Sequence, residues 1–280
     1  MIRFVHGINL VDAPPDSELG SAQAIALETI RCARDFAAGE VKVDVVCVPD
    51  PGWSGEIPAD WHLTAPLKRT VSDLHRFSRP RRLPLLTDIL ERIHAGIAAD
   101  FMIFTNADIA LLPFFYLSLA RLAENGYDAM VINRRTIPDY PRVSDAIPLM
   151  AAEIGGPHPG YDCFVFEHRT FPFFRLGRVC MGSAWVGRTL LVNLLCHARR
   201  FAEFRDYHLT FHLGDDQTWR NEEYADYQRY NHEEFLRIFN ELEPSCSRLA
   251  SPDWRSYCLD TGGKRNFPFF ETEAEAAKTS

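Results

Sequence analysis

Apolar and polar positions in the first half of the chain switch repeatedly between a strand period and a helix period. Ile2 to Val5 is a short apolar run closed by His6-Gly7 and reads as a strand. After Pro14-Pro15, Asp16 or Ser17 stands where a helix cap is needed. Ala22, Ile25, Ile30, Ala33 and Phe36 then recur at roughly helical spacing until Gly39. Val41 to Val48 is β-branched and stops at Pro49-Asp50-Pro51-Gly52, a strand followed by a turn. Pro84 opens a helix carrying Leu85, Ile89, Ile93 and Ile97. Phe101 to Phe104 is a buried strand ending at Thr105-Asn106-Ala107-Asp108. Pro113 starts a helix closed by Asn125-Gly126, and Asp128 to Asn133 is a further strand. Strand and helix alternating at this spacing predict an α/β layered domain with a largely parallel sheet.

The rhythm breaks beyond about residue 135, where Pro138, Pro141, Pro148, Pro157 and Pro159 punctuate an irregular segment. Tyr161 to Phe166 is expected as a strand, Trp185 to Arg200 as a helix and Arg205 to Leu213 as extended chain. An aromatic-rich helical stretch is expected from about Gln217 to Leu242, and a small, charged, disordered tail from Glu271. The expected organisation is one domain with a first half over 1–135, a second over 136–270 and a tail over 271–280.

Composition narrows the class. The chain is 46% apolar over 280 residues, enough to build a sizeable core. Its formal charge of -8 argues against holding a nucleic acid by bulk charge, while leaving room for a small phosphate ligand. Seven scattered cysteines contain no Cys-x-x-Cys pair, so buried free thiols are expected rather than a zinc ribbon or redox pair. No apolar run approaches a membrane span, and His6, Asn9 and Asp12 interrupt the N-terminus too early for a signal-peptide core. The expectation is a soluble cytoplasmic protein.

Several catalytic signatures are absent: no Gly-x-Gly-x-x-Gly after a strand, no Walker-type loop, no His-Glu-x-x-His and no Gly-x-Ser-x-Gly. The remaining candidate is Phe101 to Asp108, an apolar strand delivering Asn106 and Asp108 two residues apart at its C-terminal end. In extended chain these point the same way, at the edge where open α/β sheets bind ligands. Two oxygen donors suit Mg²⁺ or Mn²⁺ when a diphosphate supplies other ligands. The competing reading is a helix cap or a turn at Asp108.

The stretch from Leu83-Pro-Leu-Leu-Thr-Asp-Ile-Leu90 through Phe101-Met-Ile-Phe-Thr-Asn-Ala-Asp-Ile109 resembles the nucleotide-sugar half of GT-A glycosyltransferases. The resemblance implies a Rossmann-type α/β/α sandwich with an irregular acceptor-side second half. It also implies an Asp-x-Asp-type motif whose last acid, here Asp108, holds Mn²⁺ or Mg²⁺ under the diphosphate. Asn106 replaces the usual first Asp and removes a charge. By the same resemblance His6 to Asn9 lie against the nucleotide, Asp50 bonds the base or ribose, and Arg82 reaches phosphate. Each is equally well read as a turn or surface residue.

The resemblance further implies a histidine downstream of the aspartate motif that completes the metal site, as in many glycosyltransferases of this fold, and His212 in Phe211-His212-Leu213-Gly214-Asp215-Asp216 is the candidate, or else a packed histidine. Mn²⁺ accepts imidazole more readily than Mg²⁺ does. Asp215 or Asp216 is a candidate general base for an acceptor hydroxyl, or else a helix cap. Asp162 in Gly160-Tyr-Asp162, an acid beginning an aromatic strand, is a candidate to bind sugar hydroxyls and a further catalytic candidate, or else a turn residue. The implied activity is transfer of a sugar from a nucleoside diphosphate sugar to a hydroxyl acceptor. Two rivals stand beside it: a sugar-nucleotide-binding protein without turnover, and a sugar nucleotidyltransferase. The second lacks its usual glycine-rich loop, since Val5 to Val11 holds one glycine.

Overall fold

In the computed structural model, residues 1–259 are described except 142, 159 and 215–220 and the side chain of Ser144. The strands are β1 (Arg3–Leu10), β2 (Lys42–Pro49), β3 (His62–Leu63), β4 (Phe101–Thr105), β5 (Ala110–Leu111), β6 (Ala129–Ile132), β7 (Arg135–Ile137), β8 (Gly156–Pro157), β9 (Cys163–Glu167), β10 (Phe201–Phe204) and β11 (Thr210–Leu213). The helices are α1 (Glu18–Phe36), α2 (Leu86–Gly96), α3 (Phe115–Glu124), α4 (Ile147–Ala152), α5 (Val186–His197), α6 (Ala225–Leu242), α7 (Ser247–Ala250) and α8 (Pro252–Leu259).

Seven strands form the main sheet in the order β10-β6-β9-β4-β1-β2-β3, with β9 antiparallel to both neighbours and the other pairings parallel. Alternation along each strand divides the core between two faces. Val5, Val46 and Phe104 pack with Ile89 of α2, Leu190 of α5 and Phe235 of α6. Phe4, Ile8 and Ile103 pack with Ile30 of α1 and with Phe115 and Leu119 of α3. The sheet is thus covered on both sides, as a largely parallel sheet must be.

Local chemistry explains the element ends. Ser17 caps α1, its hydroxyl accepting the Gly20 amide at 3.1 Å. Asn125 and Gly126 close α3, with Gly126 at φ 89° where a side chain is strained. Strand β1 is longer than the apolar run suggested. His6-Gly7 does not end it but continues to Leu10, because Gly7 lies beneath α2, where a Cβ would come within 2.1 Å of the Ile93 side chain. The seven cysteines all lie among the described residues and none is in a disulfide; five of them are buried.

A second sheet, β5-β11-β7-β8, includes one expected element, β11 at the end of the extended stretch Arg205 to Leu213, while β5, β7 and β8 have no counterpart in the expected pattern. Its strands are two to four residues long, too short for a period to register. Strands β9 and β10, from the second half of the chain, complete the main sheet.

Candidate functional site

Strand β1 leads outward in sequence to β2 on one side and pairs with β4 on the other, so the connection reverses direction between β1 and β4. The C-terminal edge beside such a switch point is where an open α/β sheet leaves a crevice. Leu10, Pro49 and Thr105 end their parallel strands at that edge. Asp108 follows three residues after β4. It is not sealed beneath packed side chains, its side chain being 26% exposed.

The second sheet brings the partner. Strand β11 runs antiparallel to β5, with Phe211 opposite Ala110, so the next step along that register carries His212 towards Ile109, the neighbour of Asp108. His212 Nε2 lies 3.2 Å from Asp108 Oδ2, although 104 residues separate them. His212 Nδ1 lies 2.9 Å from the Gly214 carbonyl oxygen, which can only accept, so Nδ1 carries a proton. Nε2 therefore meets the carboxylate with a second proton or offers a lone pair to a cation, an orientation common among metal-bound imidazoles. Burial opposes charge on His212, but the hydrogen bond and charge of Asp108 outweigh it and raise its pKa. For Asp108, burial acts to raise the pKa, and His212 with Arg134 overcomes it and holds the carboxyl below its ordinary value.

The pair fits a divalent cation. Two cis donors on an octahedral ion with bonds of ~2.1 Å stand about 3 Å apart, close to the separation seen. Asp108 Oδ1 is buried and has no hydrogen-bond partner among the described residues. Two protein donors leave room for phosphate oxygens, and no group of three His, Cys, Asp or Glu ligands occurs among the described residues.

Around this pair the strand ends assemble further polar groups. Asn106 Nδ2 donates to Asp162 Oδ1 at 3.0 Å, and the Asn106 amide donates to the Asp162 carbonyl at 3.1 Å. Asp162 thus stands at the start of β9, against the end of β4. Burial raises its pKa, with Asp108 adding to the rise, against the lowering influence of Arg134, His212 and Asn106. Arg134 Nη1 is 3.5 Å from Asp162 Oδ2. Arg134 and neighbouring Asn133 follow β6 and were missed in the sequence. One signal was present: Asp128 to Asn133 ends a predicted parallel strand, so the next residues sit at the ligand edge.

At the other side of β1 a second group forms. Asn9 Nδ2 donates to Asp50 Oδ1 at 3.0 Å and to the Val48 carbonyl at 2.9 Å. Burial raises the Asp50 pKa, and the nearby charge of Arg82 opposes that rise. The structure therefore joins Asn9 and Asp50 at the ends of β1 and β2, within the field of the Arg82 charge. His6 is different and corrects the expectation. It is fully buried, its Nδ1 2.7 Å from the Tyr116 hydroxyl and its Nε2 2.9 Å from Thr105 Oγ1. Burial pushes its pKa down to about 3, so it is a neutral core histidine under α3 that does not reach the crevice. Asp215, Asp216, the 217–220 part of the expected helix and the 271–280 tail lie outside the described residues.

A cavity of about 270 Å³ is found elsewhere, between the 71–82 loop and α6, lined by His75, Arg76, Ser78, Asp226, Arg229, Tyr230 and Glu233. None of the residues above line it. No helix among the described residues is long and apolar enough to cross a membrane.

No protein-family profile matches the chain. No curated protein matches it in sequence. Among solved structures, the chain is similar to Staphylococcus aureus TarS 1–349 in complex with UDP-GlcNAc, at 11% identity and a TM-score of 0.50. The match covers 85% of this chain and 67% of that one. It is also similar to a longer S. aureus TarS structure at 12% identity and a TM-score of 0.53, covering 98% of this chain and 45% of that one. The chain spans less than half of that longer protein. The likeness is one of fold: the mixed α/β arrangement with a seven-stranded, mainly parallel sheet and flanking helices is that of GT-A-like glycosyltransferases.

Proposed function

We propose that this protein is a glycosyltransferase that moves a sugar from a nucleoside diphosphate sugar to a hydroxyl acceptor, assisted by Mn²⁺ or Mg²⁺. The observation that carries the reading is the Asp108–His212 pair, 3.2 Å apart at the crevice edge with Asp108 Oδ1 unpartnered. The fold supports it, since a structural neighbour was crystallised with UDP-GlcNAc.

In this reading Asp108 Oδ1 or Oδ2 and His212 Nε2 are the protein ligands of the ion, and the Gly214 carbonyl fixes the imidazole tautomer. The bound ion supplies Lewis-acid neutralisation of charge gathering on the departing diphosphate. Asp50, held by Asn9, receives the base or ribose, and Arg82 adds positive charge near the phosphates. Asn106 acts through Asp162, to which its amide is bonded, rather than as a second ligand. An inverting reaction requires a carboxylate to take the acceptor proton; Asp215, Asp216 and Asp162 are the candidates for it.

The test is incubation with a panel of sugar nucleotides and Mn²⁺, following the melting temperature and nucleotide release. Stabilisation by one nucleotide with release of its diphosphate supports a transferase. Stabilisation with no release or transfer for any acceptor indicates a binding protein of the same fold, which Asn106 in place of an aspartate favours. No stabilisation by any nucleotide sugar contradicts both.

A further inference from the structure

The cavity between the 71–82 loop and α6 has a chemistry of its own. On α6, Asp226, Arg229, Tyr230 and Glu233 recur at helical spacing and share one face. The loop lies along that face in the opposite direction. The His75 ring meets Tyr230 at a centroid distance of 5.0 Å, Phe77 stacks on Tyr227 at 3.9 Å, and the Ser78 hydroxyl donates to Asp226. Arg76 therefore falls level with Arg229, and Glu233 stands about 6 Å further along the helix, one turn on.

The walls are held by hydrogen bonds. The Ser78 amide and hydroxyl donate to Asp226 Oδ2 at 2.9 and 2.8 Å, and the Tyr227 amide donates to Oδ1 at 2.9 Å. The Tyr227 hydroxyl donates to the Arg79 carbonyl at 2.9 Å and accepts the Arg81 amide at 2.7 Å. The Asp226 carboxylate is thus already met by donors. Other charges lining the cavity are not met. The side chains of Arg76, Arg229 and Glu233 make no hydrogen bond or ion pair among the described residues. Neighbouring arginines do: Arg79 and Arg81 pair with Glu223, and Arg237 with Glu234. Arg229 and Glu233 stand at i and i+4, a spacing that allows a pair, yet they form none.

We propose that this cavity binds a small phosphorylated sugar or polyol, its phosphate held between Arg76 and Arg229 and its hydroxyl groups directed to Glu233. Guanidinium forks match phosphate oxygens in charge and geometry. A carboxylate only accepts, so beyond the phosphate it calls for a ligand carrying O–H donors. The volume of about 270 Å³ falls just under the range of pockets for drug-sized ligands, as a small phosphorylated sugar requires. The site does not depend on the sugar-nucleotide reading, since neither Asp108 nor His212 lines it.

Calorimetric titration of the full chain without metal tests this. The probes are inorganic phosphate, glycerol 3-phosphate, ribose 5-phosphate, glucose 6-phosphate and unphosphorylated glucose. At least one phosphorylated polyol is expected to bind at one site per chain, about tenfold more tightly than inorganic phosphate, and glucose is expected not to bind. Arg76→Gln and Arg229→Gln should each weaken phosphate and the phosphorylated polyol alike, by about tenfold. Glu233→Gln should remove only the advantage of the polyol over phosphate. All three side chains are exposed, so each variant should keep the wild-type circular dichroism spectrum. Arg82→Gln, at the crevice, should leave the polyol bound as in the wild type. No binding of any phosphorylated probe, or binding that survives both Arg76→Gln and Arg229→Gln, overturns the proposal. Phosphate binding with no gain from any polyol overturns the sugar part of it. Binding lost in Arg82→Gln and kept in the other arginine variants moves the ligand to the crevice and overturns it likewise.

Discussion

Asp108 and His212 lie 3.2 Å apart, a proton between them in the metal-free protein and a cation in the proposed reading, and this choice makes the site sensitive to pH. His212 has a raised pKa and Asp108 a lowered one, so both are charged in the window between them. In the metal-free protein the pair stabilises the fold within that window. The contribution fades as pH rises through the His212 value and as it falls through the Asp108 value. A metal requires the Nε2 lone pair, so Mn²⁺ affinity should increase as pH rises through the His212 pKa. Titrations at several pH values check this, and His212→Ala should weaken affinity and flatten the dependence. His6 behaves oppositely. His6→Ala leaves Tyr116 and Thr105 without their buried partner and should cost about 2–4 kcal/mol of stability. It should leave diphosphate affinity unchanged, as urea unfolding and calorimetry would show together. In sequence His6 and His212 are both isolated histidines beside apolar residues. What separates them is which face of which sheet each occupies, and the local pattern does not carry that.

At the scale of elements, the parts legible in the sequence are those with several periods of their own. Ser17 and the helical spacing behind it place α1 at Glu18–Phe36. Val41 to Val48 and Phe101 to Phe104 fall on β2 and β4 within a residue. Strands β5, β7, β8 and β11 were not legible as a sheet, because two to four residues contain at most two alternations. Yet that small sheet delivers His212 to Asp108. Glycines show where elements press together. Gly187→Ala, at the start of α5, would put a Cβ 2.7 Å from Tyr161 Cβ and 2.9 Å from its carbonyl. Tyr161 immediately precedes Asp162, so the substitution should displace that carboxylate and lower turnover at least tenfold. Gly7→Ala, beneath Ile93 and away from the crevice, should instead lower stability by about 1–3 kcal/mol and leave ligand affinity intact. Melting and initial-rate measurements on the two variants distinguish these effects.

At the scale of the molecule, the sheet order explains why residues from distant parts of the chain converge. β1 and β4 are neighbours around which the connection reverses, and β9 is inserted antiparallel between β4 and β6. Asp108 after β4, Asp162 before β9 and Arg134 after β6 therefore share one edge. Antiparallel insertion puts the start of β9 beside the ends of its neighbours. The alternating pattern suggested a parallel sheet but not this inserted strand, so Arg134 carried no sequence signal beyond its place after a strand. Ligand binding should stabilise the whole fold, by about 2.7 kcal/mol when the free ligand is a hundredfold above its dissociation constant. The central claim is that one divalent ion is held by Asp108 and His212 together with a nucleoside diphosphate. Electron paramagnetic resonance of free Mn²⁺, titrated against the protein with UDP, GDP, ADP or dTDP, measures that ion directly. The account predicts one Mn²⁺ bound per chain with at least one of these diphosphates, lost in Asp108→Asn and weakened in His212→Ala. No bound Mn²⁺ in the wild type with any of them, or equal binding in Asp108→Asn, would contradict it.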